Sequence, residues 1–218
     1  MPFQTIGVRR IAGALGAEVE GVDMRQEVSE LQLREVHQAL MEHQVLFFHE
    51  QDMTEEEQLA FTRRFGKPDL LMGEELADEV PQMAQPIARI GGGSGPRRPE
   101  PDEGWHTDVS NRPKPPAIAI LNARIMPDYG GDTTWASMYA VYNELSPDMQ
   151  RFAERLHARH VWKPPFMSGF EKSYGSEVAA RIAEKHSNIH PLVRTHPVTG
   201  RQALFVNPRF TDEIVELK

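Results

Sequence analysis

A chain of 218 residues, 39% of them hydrophobic, is long enough for one sizeable core and short for two, so a single domain over 1–218 is expected. Lys and Arg number 24 against 32 Asp and Glu, and a net charge of −8 argues against a general nucleic-acid or anionic-membrane binder. With no cysteine, disulfides, zinc–thiolate centres, iron–sulfur clusters and Cys nucleophiles are excluded, and any metal must sit on nitrogen and oxygen.

In chain order, "MPFQTIGVRRIAGALGAEVEGVD" lacks a long apolar core behind a basic head, so it does not read as a secretory signal. No stretch approaches a membrane span, and a cytoplasmic protein is expected. Ser29-x-x-Gln32 is a capping-box pattern, and Leu33, Val36 and Leu40 follow at helical spacing, predicting an amphipathic helix over 30–43. "QVLFFHE" reads as a strand. Thr54-x-x-Glu57 opens a second helix with Phe61 and Phe65 on one face, stopping at Gly66 and Pro68. Residues 91–104, "GGGSGPRRPEPDEG", carry the glycine, proline and charge of a mobile loop. "PPAIAILNARIMP" predicts a buried strand, and "GGDTTWAS" a Gly-Gly turn entering another. Ser146 and Pro147 cap a helix whose apolar face holds Met149, Phe152, Ala153 and Leu156; a further helix covers roughly 176–185. "HPLVRTHPVTGRQALFVNPRF" predicts a hairpin turning at "PVTGRQ".

The chemistry concentrates in "EGWHTDVSNRPKPP". On a strand, residues two apart face the same side, so His106 and Asp108 can present an imidazole nitrogen and a carboxylate oxygen to one ion. The pair alone fits equally a surface histidine beside a solvated aspartate.

Three segments, "WHTDVS", "PPAIAILNARIMPDYGGDTTWAS" and "HPLVRTHPVTGRQALFVN", resemble in order and spacing the taurine dioxygenase family of Fe(II)/2-oxoglutarate-dependent oxygenases. "GALGAEVEGVDM", "HQVLFFHEQ" and "QLAFTRRFGKP" extend the likeness over essentially the whole chain. The resemblance implies a mainly β fold with flanking helices (α+β), a double-stranded β-helix or jelly roll. It implies Fe(II) held by His106, Asp108 and a distant histidine, in a facial triad that leaves positions open for 2-oxoglutarate and dioxygen. Thr133 matches the threonine that helps bind the 2-oxoglutarate carboxylate, and Phe166 and Phe205 match aromatic positions of the substrate pocket. A strand threonine and two core phenylalanines are the plainer alternatives. Trp105 is expected to pack behind the metal strand.

The implied activity is hydroxylation of a small organic acid, with release of succinate and CO2. Leu71 and Met72 stand where taurine-specific members carry a His and a Tyr, which favours a less polar alkyl sulfate, alkyl sulfonate or aryloxyalkanoate over taurine. The partners expected are that acid and O2, with no nucleic acid or membrane, and homo-oligomerisation is left open.

The distal histidine and the arginine that pairs with 2-oxoglutarate are expected beyond Lys218, so the C-terminal strands of the jelly roll are expected to be missing from this chain, leaving it inactive alone. His190 and His196, six apart on an extended run, lie roughly 20 Å from each other, too far to share an ion. His157 and His160, three apart near a helix end, could pair on one face but read as surface or packing histidines; His37, His43 and His49 read as structural, and His186 has no motif around it. Two rival functions stand beside the oxygenase: a non-catalytic β-helix binding protein, and a metal-dependent hydrolase using His106 and Asp108.

Overall fold

The computed structural model describes residues 3–70, 85–89 and 104–217. The expected mobile loop over 91–104 lies outside the described residues except for Gly104, as do Leu71 and Met72. The chain forms two compact units.

The first unit comprises Met1–Pro68, Ile120–Ala140 and Pro197–Gly200. Strands β1 (Gly7–Arg10) and β2 (Ala17–Glu20) pair antiparallel with Gly7 opposite Glu20. Helix α1 (Glu30–His43) then crosses to β3 (Leu46–Phe47), which pairs parallel to β2. A helix between parallel strands is the connection such pairing requires. The Ser29 side chain accepts the Gln32 amide at 3.2 Å, but the Gln32 side chain donates to the Gly21 carbonyl, so only half of the expected box forms. Thr54 closes a full box on α2 (Glu55–Arg63): its Oγ1 accepts from Glu57 N, and its own N–H donates to Glu57 Oε2 at 2.7 Å. Ile6, Val19, Met24, Val36, Ala39, Met53 and Phe61 form the buried core of this unit.

Glu35 departs from the pattern, a carboxylate on the buried face of α1. It accepts from Gln4 N, Thr5 N and Thr5 Oγ1 at 2.6–2.9 Å, which satisfies the charge and ties the N-terminal segment to the helix. The Thr5 hydroxyl above all lowers its pKa.

The second unit comprises Asp69–Ala119, Val141–His196 and Arg201–Lys218. Helix α3 (Met138–Asn143) begins in the first unit's residues and is followed by α4 (Pro147–Ala153), with Ser146 accepting from Met149 N and Pro147 in the first turn. The apolar face predicted for α4 is only half buried: Ala153 and Leu156 are covered, Met149 and Phe152 exposed. β4 (His157–His160) is the centre of a sheet ordered β5–β4–β8, antiparallel to both β5 (Asn188–Pro191) and β8 (Thr211–Ile214). His157 and His160 therefore lie on a strand, which begins four residues after α4 ends. Three apart on a strand they point to opposite faces, and accordingly His157 is exposed while His160 is fully buried.

Helices α5 (Pro164–Tyr174) and α6 (Ser176–Lys185) share Gly175, whose φ of 88° makes the corner between them, and they bury Phe170, Ala179 and Ile182 together. β6 (Val193–Thr195) and β7 (Gln202–Leu204) form the expected hairpin.

Among the described residues helices hold more of the chain than strands, so the fold is mixed α/β where a mainly β chain was expected. The strands expected in "PPAIAILNARIMP" and after Gly131 do not form. Gly130 and Gly131 make the turn, with φ of 77° and 72°, but their neighbours are irregular and form no ladder, and Leu121, Ile125 and Met126 are exposed. A strand needs a partner for its N–H and C=O groups, and among the described residues none pairs with this stretch. "QVLFFHE" likewise keeps only Leu46–Phe47 as a strand.

Candidate functional site

His106 and Asp108 lie in the second unit, on the irregular segment from Gly104 into a turn at 108–111, and not on the strand their spacing suggested. They nevertheless come together: His106 Nε2 is 3.3 Å from Asp108 Oδ1. The other ring nitrogen, Nδ1, donates to the Gly104 carbonyl at 2.9 Å. That bond commits Nδ1 and leaves Nε2 as the nitrogen that faces the carboxylate, where its proton can give way to a metal. Asp108 raises the pKa of His106 and burial opposes it; His106 lowers that of Asp108. Both side chains keep an open face to solvent.

This nitrogen and oxygen pair fits a first-row metal such as iron. Among the described residues no third His, Asp or Glu completes a metal-binding group with them.

Aromatic rings adjoin the pair. The Phe210 ring meets His106 edge-on at 6.4 Å, Trp162 meets Phe210 at 5.0 Å, and Phe166 stacks on Trp162 at 4.1 Å. Phe166 is thus linked to His106 through two intervening rings. Phe205 stacks on His160 at 5.3 Å, with the Arg194 guanidinium 4.5 Å from its centroid. Thr133 belongs to the first unit, exposed on an irregular run. Trp105, expected to pack behind the site, is also exposed.

The residues that sequence reasoning missed are behind the pair. Ser110, Asn111, His160 and His186 are completely buried, and His190 and Asn207 nearly so. Ser110 Oγ is 2.9 Å from His160 Nδ1 and accepts from Asn207 Nδ2 at 3.0 Å. His190 Nε2 donates to the Arg112 carbonyl at 2.9 Å, and Trp162 Nε1 donates to His186 Nδ1 at 2.8 Å. Burial holds the pKa of His160 down to about 4; His190 pushes the same way, the Phe205 backbone opposes, and Arg194 adds a further lowering. His190 is lowered too, chiefly by burial. The signal in sequence was that Ser110, His190 and Asn207 lay within stretches carrying the family likeness, "WHTDVS", "HPLV" and "FVN".

Residues 7–218 match the model of the taurine catabolism dioxygenase TauD, TfdA family. The chain belongs to that family. It is similar to an alkylsulfatase of Acinetobacter baylyi, 31% identical over 215 residues that make up 96% of this chain and 65% of that protein. An α-ketoglutarate-dependent 2,4-dichlorophenoxyacetate dioxygenase of Cupriavidus pinatubonensis is 32% identical over 87% of this chain and 69% of its own length. The crystal structure of a taurine dioxygenase from Burkholderia xenovorans superposes with a TM-score of 0.74 at 30% identity, covering 99% of this chain and 68% of that one. The chain spans about two thirds of the length of these relatives.

Proposed function

We propose that the protein is an Fe(II)- and 2-oxoglutarate-dependent dioxygenase that hydroxylates a small organic acid, releasing succinate and CO2. The observation that carries this is the His106–Asp108 pair, with Nδ1 committed to Gly104 and Nε2 turned to the carboxylate, in a chain of this family. Bound iron, with 2-oxoglutarate and O2, would supply the oxidation of an unactivated C–H bond. His106 Nε2 and an Asp108 oxygen would hold it, Asp108 being kept ionised by His106. Thr133 is proposed to donate its hydroxyl to the 2-oxoglutarate carboxylate. Phe166 is proposed to line the apolar part of the substrate pocket, a role supported by its ring-to-ring link with His106. Phe205, which reaches the pair only through His160 and Ser110, is proposed for the same wall.

The substrate class proposed is an alkyl sulfate, alkyl sulfonate or aryloxyalkanoate, supported by the names of the alkylsulfatase and dichlorophenoxyacetate relatives. The family match running unbroken over 7–218 supports reading both units as parts of one oxygenase domain. The proposal extends to a cytoplasmic location and to partners limited to the acid and O2. No helix among the described residues is long and apolar enough to cross a membrane.

The test is succinate release by the purified full-length protein given Fe(II), 2-oxoglutarate and O2, with a medium-chain alkyl sulfate, an alkyl sulfonate and a phenoxyacetate in parallel. Succinate formed in step with one of these acids supports the reading. Binding of the acids without succinate selects the non-catalytic alternative, and turnover without O2 or 2-oxoglutarate selects the hydrolase.

A further inference from the structure

The turn that carries Asp108 is held in a conformation that its own sequence does not favour. Val109 has a φ of 40°, a region that a β-branched residue rarely adopts, and the turn closes with Arg112 N donating to the Val109 carbonyl at 3.1 Å. Such backbone persists only where the surroundings over-determine it.

Here they do. Asn207 Oδ1 accepts the Phe210 amide at 2.8 Å, which orients the Asn207 side chain so that Nδ2 donates to Ser110 Oγ at 3.0 Å. Ser110 Oγ also lies 2.9 Å from His160 Nδ1, and its one hydroxyl proton is donated there when Nδ1 carries none. His160 is neutral above a pKa of about 4 and so can accept it. One residue on, Asn188 Nδ2 donates to the Asn111 carbonyl at 2.6 Å, and Asn111 Nδ2 to the His186 carbonyl at 3.3 Å. Next, His190 Nε2 donates to the Arg112 carbonyl. Three consecutive residues after Val109 are therefore fastened to β4, β5 and the 207–210 segment, and two of them are fully buried. The same chain reaches the second ligand, because the Phe210 whose amide Asn207 holds sets its ring against His106.

We propose that Ser110, His160 and Asn207 are positioning residues for the metal site: they set where the Asp108 carboxylate stands relative to His106 Nε2, and thereby the affinity and geometry of the ion bound there. This rests on the reading of His106 and Asp108 as metal ligands. It gives His160 and His190 a supporting role through the ring nitrogens that meet Ser110 and Arg112. Outer partners of metal ligands commonly contribute 10- to 100-fold in metal affinity, and the chain from Asn207 to His160 has the form of such a support.

The test titrates the metal-free full-length protein with Co(II), followed by its visible absorption, and measures amide hydrogen exchange over 104–112 without metal. The variants are S110A, H160L, H160N, H106A and I182A. H160N keeps an acceptor where Nδ1 sits and H160L does not; I182A cavitates the α5–α6 core and serves as a destabilised control away from the turn. Positioning predicts about 10- to 100-fold weaker Co(II) binding, an altered cobalt spectrum and faster exchange over 104–112 in S110A and H160L. Substantial recovery is expected in H160N, with wild-type cobalt behaviour in I182A. Cobalt binding that survives in H106A, or is absent from the wild type, overturns the ligand reading and the proposal with it. Cobalt binding lost in H106A but unchanged in S110A and H160L overturns the positioning role alone. If S110A does not fold, H160L against H160N decides the same question.

Discussion

Asp108 Oδ1 stands 3.3 Å from His106 Nε2, and each of the two groups shifts the other toward its charged form. A metal must displace the proton from His106 before Nε2 can coordinate. Because Asp108 raises the pKa of His106, that competition begins above the ordinary value of 6.5. Metal affinity should therefore be highest above this raised pKa and fall about tenfold per pH unit on its acid side. Asp108, whose pKa is lowered, stays ionised across the same range and adds no step of its own. Co(II) titrations between pH 6 and 8.5 would show this; affinity independent of pH in that window would remove His106 from the ligand set.

Thr54→Ala should destabilise the protein by about 1 kcal/mol, the usual loss for an N-cap hydroxyl, and lower Tm by about 2–4 °C for a chain of this size. Both arms of the box are present on α2, so Glu57→Ala should cost part of the same stability, and the double variant less than the sum of the two. Thermal melts of the three variants give the comparison, and strict additivity would mean the box does not act as a unit.

The elements that sequence reading located are those whose signals are local. Ser29, Thr54 and Ser146 each cap a helix three to seven residues before the first apolar position that predicts it, and the Thr-Gly pair at 199–200 marks the β6–β7 turn. Helix α5 went unread because Pro164 and Pro165 look like breakers, whereas a proline in the first turn has no helical partner to lose and its fixed φ suits the start. The strand expected in "PPAIAILNARIMP" failed for the opposite reason: its apolar run is right, but a ladder depends on a partner elsewhere. His106 and Asp108 were legible because they stand two positions apart. Ser110 lies 50 positions from His160 and 97 from Asn207, so no spacing rule could connect them.

Glu35 should prove indispensable to order at the N-terminus. It is the acceptor for two backbone amides and a hydroxyl of residues 4 and 5, and its replacement by alanine strands those donors. Glu35→Ala should speed hydrogen exchange over residues 3–8 and the paired β2 strand while leaving the second unit's exchange unchanged. Because Thr5 and the amides lower the pKa of Glu35, the carboxylate stabilises the fold above its unfolded pKa. That contribution is lost as pH falls through its lower folded value. A Glu35→Ala protein with native exchange over 3–8 would show that the β1–β2 ladder alone holds this segment.

His160 should make the protein acid-sensitive well above the range where carboxylates titrate. Its folded pKa is about 4 against an ordinary 6.5, so between these values the unfolded chain binds a proton that the folded protein refuses. The sign follows: stability is full above about pH 6.5, declines as pH falls, and stops changing on account of this group below about pH 4. Between pH 7 and pH 5 the linkage amounts to about 2 kcal/mol. His190, lowered mainly by burial, acts in the same direction, and His106, raised by Asp108, acts against it. The single-residue share is therefore read from the difference between wild type and His160→Asn, which keeps an acceptor for Ser110 but has no proton to take up in this range. Urea unfolding at pH 7, 6 and 5 should show the wild type losing stability faster than the variant, the two curves converging toward pH 5. Parallel curves would mean that His160 is protonated in the folded protein, and that the Ser110 hydroxyl donates elsewhere.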